Sequence, residues 1–284
     1  MSDSTWIDDF LAEERLPASF RLTLERVCLP LADFGQARRE ELGGTAVIGL
    51  CGAQGSGKST AAAAAVRLLE GRGLSAVSVS LDDFYLPRAA RERLARDVHP
   101  LFATRGPPGT HDTGLACTVL DQLRLPGQVA LPTFDKAADE PRPRSEWREF
   151  AAPADIAFIE GWCVGAAPQP VASLLQPTNT LEAVNDPDAR WRLHVNAQLT
   201  GPYRSLFGRL DGLALLQAPN FEVVLGWRRE QEQKLRDRTG RGMTGAELAR
   251  FVAHYERLTR WILREMPKRA DLVFRLDEDR SQLL

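Results

Sequence analysis

Eight consecutive residues, Gly52-Ala53-Gln54-Gly55-Ser56-Gly57-Lys58-Ser59, carry chemistry in their order as well as in their types. They fit the Gly-x4-Gly-Lys-Ser/Thr pattern in full, and Thr60 follows. Glycine at 52, 55 and 57 lets the backbone bend tightly and approach an anion with no Cβ in the way. Successive N–H groups, those of Gln54 and Ser56 among them, then converge as an anion nest. A helix opening near Lys58 adds unpaired N–H donors and the positive end of its dipole. Lys58 can reach the outer phosphates of ATP, and the Ser59 hydroxyl can ligate Mg2+. A Gly-rich strand-to-helix turn with an incidental lysine is the plain alternative. The apolar run 45–51 before the turn and the alanine run 61–65 after it argue against that alternative.

Such a turn serves kinases, GTPases, ATPases and motors alike, so other residues must separate them. Asp82 and Asp83 follow a second apolar run, SAVSVSL at 75–81. In an open α/β sheet, ligands gather beyond the C-terminal strand ends. A carboxylate there can orient or deprotonate a hydroxyl facing the terminal phosphate. Asp82 is expected to do so from the strand end neighbouring the phosphate turn. Asp83 suits a turn-capping role equally well. Glu160 ends the apolar run Ile156-Ala-Phe-Ile159, the position of a Walker-B acid that holds Mg2+ directly or through water. Cys163 has no activating partner beside it in sequence, so a nucleophilic thiol is not expected.

Three further stretches offer groups to an acceptor. The turn-rich loop Arg105-Gly-Pro-Pro-Gly-Thr-His111-Asp112 places Arg105 to bind a carboxylate as a rigid fork, and His111 and Asp112 to hydrogen-bond hydroxyls. Helix capping is the structural alternative for Asp112. Asp135 and Lys136 follow a short strand and suit a small acidic or polyol substrate; a surface ion pair explains them almost as well. The charged stretch 227–236 reads as an exposed helix with i,i+4 pairs. Arg228, and after it Arg236, can fold over a transferring phosphate. Gly240, Gly242 and Gly245 allow a lid over about 226–245 to move.

These residues need a scaffold, and the apolar periodicity describes one. Strands are predicted at 45–51, 75–81, 155–161, 213–219 and 271–276, with a short proline-interrupted strand within VALPTF at 129–134. Helices are predicted at 61–69, 87–97, 115–123, 191–207 and 221–238. Thr244-x-x-Glu247 opens another that runs to about Met266. Residues 5–40 read as helical with breaks near Pro17 and Pro30, 100–113 as a loop, 137–148 as an exposed polar loop, and 176–190 as loop or helix edge. Near-continuous apolar strands alternating with helices imply an α/β fold: a mostly parallel sheet of the P-loop NTPase type, with helices on both faces and helical additions. One domain over 1–284 is expected, a helical extension at 1–44 preceding a core at 45–284.

The chain has 284 residues, with 36 basic against 38 acidic, a formal charge of −2. That balance argues against partners that are nucleic acids or polyanionic surfaces. Four cysteines without CxxC spacing suit neither zinc nor a disulfide framework. The acidic start has no secretory character, and no apolar run is long enough to span a bilayer. A cytoplasmic protein is the expectation. Monomer and homodimer both stay open.

In combination, the residues resemble the P-loop small-molecule kinases related to uridine kinase, pantothenate kinase and phosphoribulokinase. Within that group the chain is most similar to plant-type D-glycerate 3-kinases and their bacterial relatives. The resembling segments are GAQGSGKST (52–60), SLDDFYLP (80–87), HPLFATRGPPGTHD (99–112), LPTFDKAAD (131–139), EGWCVG (160–165), and FEVVLGWRREQE through GMTGAELARFVAHY. The resemblance implies ATP-dependent phosphorylation of a small hydroxy acid. Asp82 falls where uridine kinase-like enzymes place the carboxylate that engages the acceptor hydroxyl, Glu160 at the Walker-B position, and Arg228 in the segment resembling the lid. After Asp135-Lys136 the chain departs: plant-type enzymes carry a Gly-rich stretch ending Gly-Asp-Arg, whereas Ala137 to Trp147 here is polar and proline-containing. A kinase for a nucleoside, a pantothenate-like acid or a sugar is the nearest alternative. A nucleotide-binding regulatory protein is a second, although the Asn-Lys-x-Asp guanine-reading motif is absent.

Overall fold

A computed structural model describes residues 5–239 and 242–282. Its centre is a five-stranded sheet in which every paired neighbour is parallel: β1 (Ala46–Gly52), β2 (Ala76–Ser80), β7 (Ile156–Gly161), β8 (Gly212–Gln217) and β9 (Leu272–Arg275), in the order β2-β7-β1-β8-β9. Between β2 and β7 the chain makes two antiparallel ribbons. One pairs β3 (Gly127–Leu131) with β6 (Arg148–Ala152), the other β4 (Phe134–Asp135) with β5 (Glu140–Pro141).

The central strands are apolar on both faces because both faces are covered. Ile48, Leu50, Ile156, Phe158, Ala214 and Leu216 point into one core with α3 (Leu29–Leu42), α4 (Lys58–Gly71) and α10 (Phe221–Thr239). Val47, Cys51, Ala157, Ile159, Leu213 and Leu215 point into the other, with α6 (Thr113–Gln122), α9 (Pro202–Phe207) and α11 (Gly245–Glu265). Thr244 and Glu247 form a full capping box at the start of α11, as their spacing predicts. The remaining helices are α1 (Thr5–Glu13), α2 (Phe20–Thr23), α5 (Arg88–Asp97), α7 (Thr180–Asn185) and α8 (Arg190–Thr200). Among the described residues, no helix is long and apolar enough to cross a membrane.

Four local expectations change. The break expected near Pro30 is absent: a π turn at Leu24–Cys28, with the Leu29 N–H donating to Leu24 O, adds a residue to the spiral and lets α2 run on into α3. The helix expected over 191–207 divides at Gly201-Pro202, where Pro202 starts α9 and cannot extend the hydrogen-bond ladder of α8. The stretch 137–148 is no featureless loop, since β5 pairs with β4 and β6 begins at Arg148. Finally, β7 lies between β1 and β2, so Asp82 does not follow the strand next to the phosphate turn.

Register explains why the candidate residues still meet after that last change. Glu160 is level with Leu50 of β1 on one side and with Ser80 of β2 on the other. Gly52, Asp82 and Glu160 therefore collect at one edge of the sheet, beyond the carboxyl ends of three parallel strands.

Candidate active site

The turn from β1 into α4 has the shape its glycines imply. Gly55 (φ +80°) and Gly57 (φ +86°) occupy left-handed backbone conformations that favour glycine. A Cβ at Gly55 would also lie 2.7 Å from the Trp227 Cβ, so the bend is seated against α10. Gly57 is the N-cap of α4 and offers no side-chain cap, which leaves the first N–H groups of the helix for a ligand.

The donors around this turn fit a nucleotide phosphate with a divalent cation. Glu160 is 3% exposed, yet among the described residues its Oε2 has no hydrogen-bond partner. The Ser59 hydroxyl donates to Glu160 Oε1 at 2.8 Å, and Lys58 Nζ stands 3.9 Å from Oε2. Ser56 Oγ and Gln54 Oε1 are likewise buried without partners among the described residues. Orphaned acceptors in a native interior call for a missing partner. Ser59 and Glu160 are the pair suited to Mg2+, the remaining ligands coming from phosphate oxygens and water.

Asp82 is the second residue of the short 3-10 turn Leu81–Phe84 after β2. Its Oδ1 accepts from the Tyr85 hydroxyl at 2.8 Å and its Oδ2 from Lys136 Nζ at 2.6 Å. Burial is the largest single influence on this carboxyl and works to raise its pKa. The ammonium groups of Lys136 and Lys58, with the two hydrogen bonds, outweigh it and hold the group well below the ordinary carboxylate range. Asp82 thus lies within the field of the lysine in the phosphate turn as well as that of Lys136.

A family model described as the phosphoribulokinase / uridine kinase family matches residues 47–201. This chain belongs to that family. An uncharacterized kinase of Schizosaccharomyces pombe, mug58, is 32% identical over 249 residues, covering 82% of this chain and 86% of the relative. The chloroplastic D-glycerate 3-kinase of Arabidopsis thaliana is 28% identical over 257 residues, 84% of this chain and 54% of the relative. Among solved structures, D-glycerate 3-kinase from Cryptococcus neoformans var. grubii superposes with a TM-score of 0.75 at 23% identity, covering 90% of this chain and 97% of that one. That likeness supports the mostly parallel α/β fold.

In this kinase Asp83 has the opposite balance from Asp82. Burial pushes its carboxyl up to about 6, helped by the charges of Asp82 and Glu160 and opposed by the Phe134 N–H (3.0 Å) and Lys136. An acid raised in this way favours the fold below its unfolded value near 3.9, and that contribution is lost as pH rises through about 6. Asp83→Asn keeps an oxygen for the Phe134 N–H and removes the ionisation. Its melting temperature at about pH 8 is expected to exceed wild type by roughly 2–4 °C. The gain should shrink as pH falls through about 6. Calorimetry of nucleotide-free protein across that range checks this; a pH-independent difference would rule out burial of charge as the cause.

The acceptor-side residues divide. Arg105 acts on the same Tyr85 hydroxyl as Asp82, but its guanidinium is bonded to Asp139, which also accepts from the fully buried Arg91 at 2.7 Å. Arg105 also lies over the Phe134 ring, 5.7 Å from its centroid. His111 is 4% exposed, stacked on Tyr85 at 4.5 Å, and bonded through Nδ1 to the Tyr203 hydroxyl. Asp112 is the N-cap of α6, accepting from the Leu115 N–H at 2.8 Å. Asp135 accepts from the N–H groups of Ala137 and Ala138 and pairs with Arg142 at 3.1 Å. With Asp112 and Asp135 engaged as caps, Lys136 contacts Asp82 directly and His111 lies in the field of its charge, while Arg105 is held by Asp139. Cys51 and Cys163 are free and fully buried; burial pushes the Cys51 thiol up to about 12 and raises Cys163 strongly as well.

Arg228 pairs with the buried Glu232 at 3.0 Å and lies over the Phe251 ring, tying α10 to α11. Glu232 Oε1 also accepts from the Met243 N–H at 2.6 Å. Arg236 bonds to the Met243 carbonyl, and Gly242 packs beside Glu232. Gly240 lies outside the described residues. Several residues at the site are not singled out by type or spacing, although Tyr85 and Asp139 fall within resembling segments. Tyr85, Tyr203 and Asp139 act by packing and partnership, and only the fold brings them in. Arg280 is another: its Nε donates to the Gly55 carbonyl at 2.7 Å and its Nη2 pairs with Glu230 at 2.7 Å, so the turn is braced from the far end of the chain.

Proposed function

We propose that this kinase transfers the γ-phosphoryl group of ATP to a small hydroxy acid, D-glycerate first among them, to give 3-phospho-D-glycerate and ADP. The observation that carries the reading is Asp82 held in the joint field of Lys58 and Lys136 at the edge where the phosphate turn ends. Lys136 is 58% exposed, long and unbranched, and so able to change partner. An acceptor carboxylate can draw it from Asp82. Asp82, relieved of that ammonium, moves back towards ordinary carboxylate basicity and can orient or take the proton of the attacking hydroxyl. A basic group beside a proton acceptor suits an acid better than a nucleoside or neutral sugar. The named activities of the Arabidopsis and Cryptococcus relatives agree with that preference.

The backbone of 52–60 and Lys58 would grip the phosphates, with Ser59 and Glu160 holding Mg2+. When bound, the cation neutralises charge on the phosphate oxygens. Arg228, released from Glu232 on closure of the 226–245 segment, would add a positive charge at the transferring group and help exclude water.

An ADP-release assay across small hydroxy acids, nucleosides and sugars tests the reading, with phosphorus NMR to locate the new ester. D-Glycerate is expected to release ADP well above the ATP-only rate and to give the 3-phosphate. Release with a nucleoside or sugar but not with D-glycerate would replace the substrate and keep phosphoryl transfer. Hydrolysis indifferent to every acceptor would favour a regulatory nucleotide-binding protein.

A further inference from the structure

The hydrogen bonds of Tyr203 decide where the His111 proton sits. The Gly109 N–H reaches the Tyr203 hydroxyl oxygen at 3.0 Å, and His111 Nδ1 lies 2.5 Å from the same oxygen. An amide N–H can only donate, so that oxygen is the acceptor in the first contact. The phenol has one proton of its own. Among the described residues, its hydrogen-bond partners are Gly109 N and His111 Nδ1, and of these only Nδ1 can accept. If Nδ1 instead donated, the phenol proton would be left unpaired in a fully buried position, a costly arrangement.

Nδ1 therefore accepts, and the proton of a neutral imidazole falls on Nε2. Burial keeps the ring neutral by pushing it down to about 4, the Asp82 charge pulling the other way. Nε2 is buried and, among the described residues, has no partner. The ring that carries it stacks on Tyr85, whose hydroxyl bonds Asp82, and it lies in the field of the Asp82 carboxylate.

We infer that Tyr203 locks His111 as its Nε2–H tautomer and that this N–H is a preset donor to an oxygen of the acceptor substrate. His111 is then a specificity-determining residue, and Tyr203 a positioning residue acting through it. The inference rests on the phosphoryl-transfer reading and adds a chemical requirement to it. The acceptor must present a carboxylate or hydroxyl oxygen at this point. A ligand presenting only an ammonium or amide N–H there leaves two donors facing each other and is rejected.

The tautomer is read directly by two-bond 1H–15N correlation spectra of uniformly 15N-labelled, ligand-free protein, with His111 assigned by its loss in His111→Gln. The expected pattern is a protonated Nε2 and an unprotonated Nδ1; the reverse pattern overturns the inference and leaves phosphoryl transfer standing. Tyr203→Phe is expected to mix the two tautomers and raise KM for the acceptor about tenfold, with kcat and the KM for ATP within about twofold. His111→Gln retains an N–H donor, whereas His111→Leu does not. The Gln variant should hold an acceptor kcat/KM at least about tenfold above Leu. Equal values for the two overturn the donor role. These ratios are taken with whichever small hydroxy acid the protein phosphorylates, so failure of D-glycerate as substrate is a separate result.

Discussion

Asp82→Asn is expected to lower kcat for phosphoryl transfer by about 10²–10⁴-fold, with affinity for MgATP changed by less than about threefold. The substitution is nearly isosteric. Its Oδ1 still accepts from the Tyr85 hydroxyl, which is 2.8 Å away in the wild type, so the turn after β2 keeps its anchor. An amide lacks the capacity to take a proton and the charge that aligns the acceptor hydroxyl. Nucleotide affinity is spared because the proposed phosphate and Mg2+ ligands sit on the β1–α4 turn and on β7, while Asp82 follows β2. Single-turnover rates at saturating ATP and acceptor, with calorimetric titration of MgATP, separate the two quantities. A matching fall in nucleotide affinity would move Asp82 to a metal-binding or folding role. The same variant also weakens the Lys136 contact, and a modest drop in KM for an acidic acceptor would show that the wild-type ion pair competes with substrate for that lysine.

What could be read from the sequence is what is local. The phosphate turn is one continuous run whose glycines, lysine and hydroxyl meet their backbone requirements within a few residues. Glu160 and Asp82 were legible because each ends an apolar strand, and strand ends point to one edge of a parallel sheet. The order of strands was not legible. Placing β7 between β1 and β2 depends on pairings about a hundred residues apart, such as Leu50 with Glu160, that leave no trace in local pattern. Partnership was equally hidden. Lys136 reads as a substrate contact or as half of a surface ion pair with Asp135 until the antiparallel ribbon at 134–141 brings it 2.6 Å from Asp82. Arg105 reads as a free fork until Asp139 occupies it, and Asp139 lies in the stretch that departs from the plant-type pattern. Tyr203 gave no signal because a tyrosine in a short helix is ordinarily core.

Lys58→Ala is expected to reduce kcat by about 10³-fold, with a smaller loss in ATP affinity of at most about tenfold. A unit charge about 4 Å from a phosphate oxygen, at an effective dielectric near 20, contributes about 4 kcal/mol, or roughly three orders of magnitude in rate if it acts chiefly in the transition state. The asymmetry follows from what else holds the nucleotide. Backbone N–H groups of the turn and the start of α4 would supply ground-state binding on the proposed reading, and they survive the substitution. On the proposed mechanism the lysine charge would matter most as the bridging and equatorial oxygens gain charge during transfer. Folding should be little affected. Lys58 opens α4, alanine is a strong helix former, and the Ser59 to Glu160 bond at 2.8 Å remains to hold the buried carboxylate. A melting temperature within about 4 °C of wild type establishes that the lost rate is not lost protein. Turnover near the wild-type rate would remove Lys58 from the mechanism. A fall in ATP affinity as large as the fall in kcat/KM, with kcat preserved, would mean that its charge binds substrate and transition state alike and does not drive the chemical step.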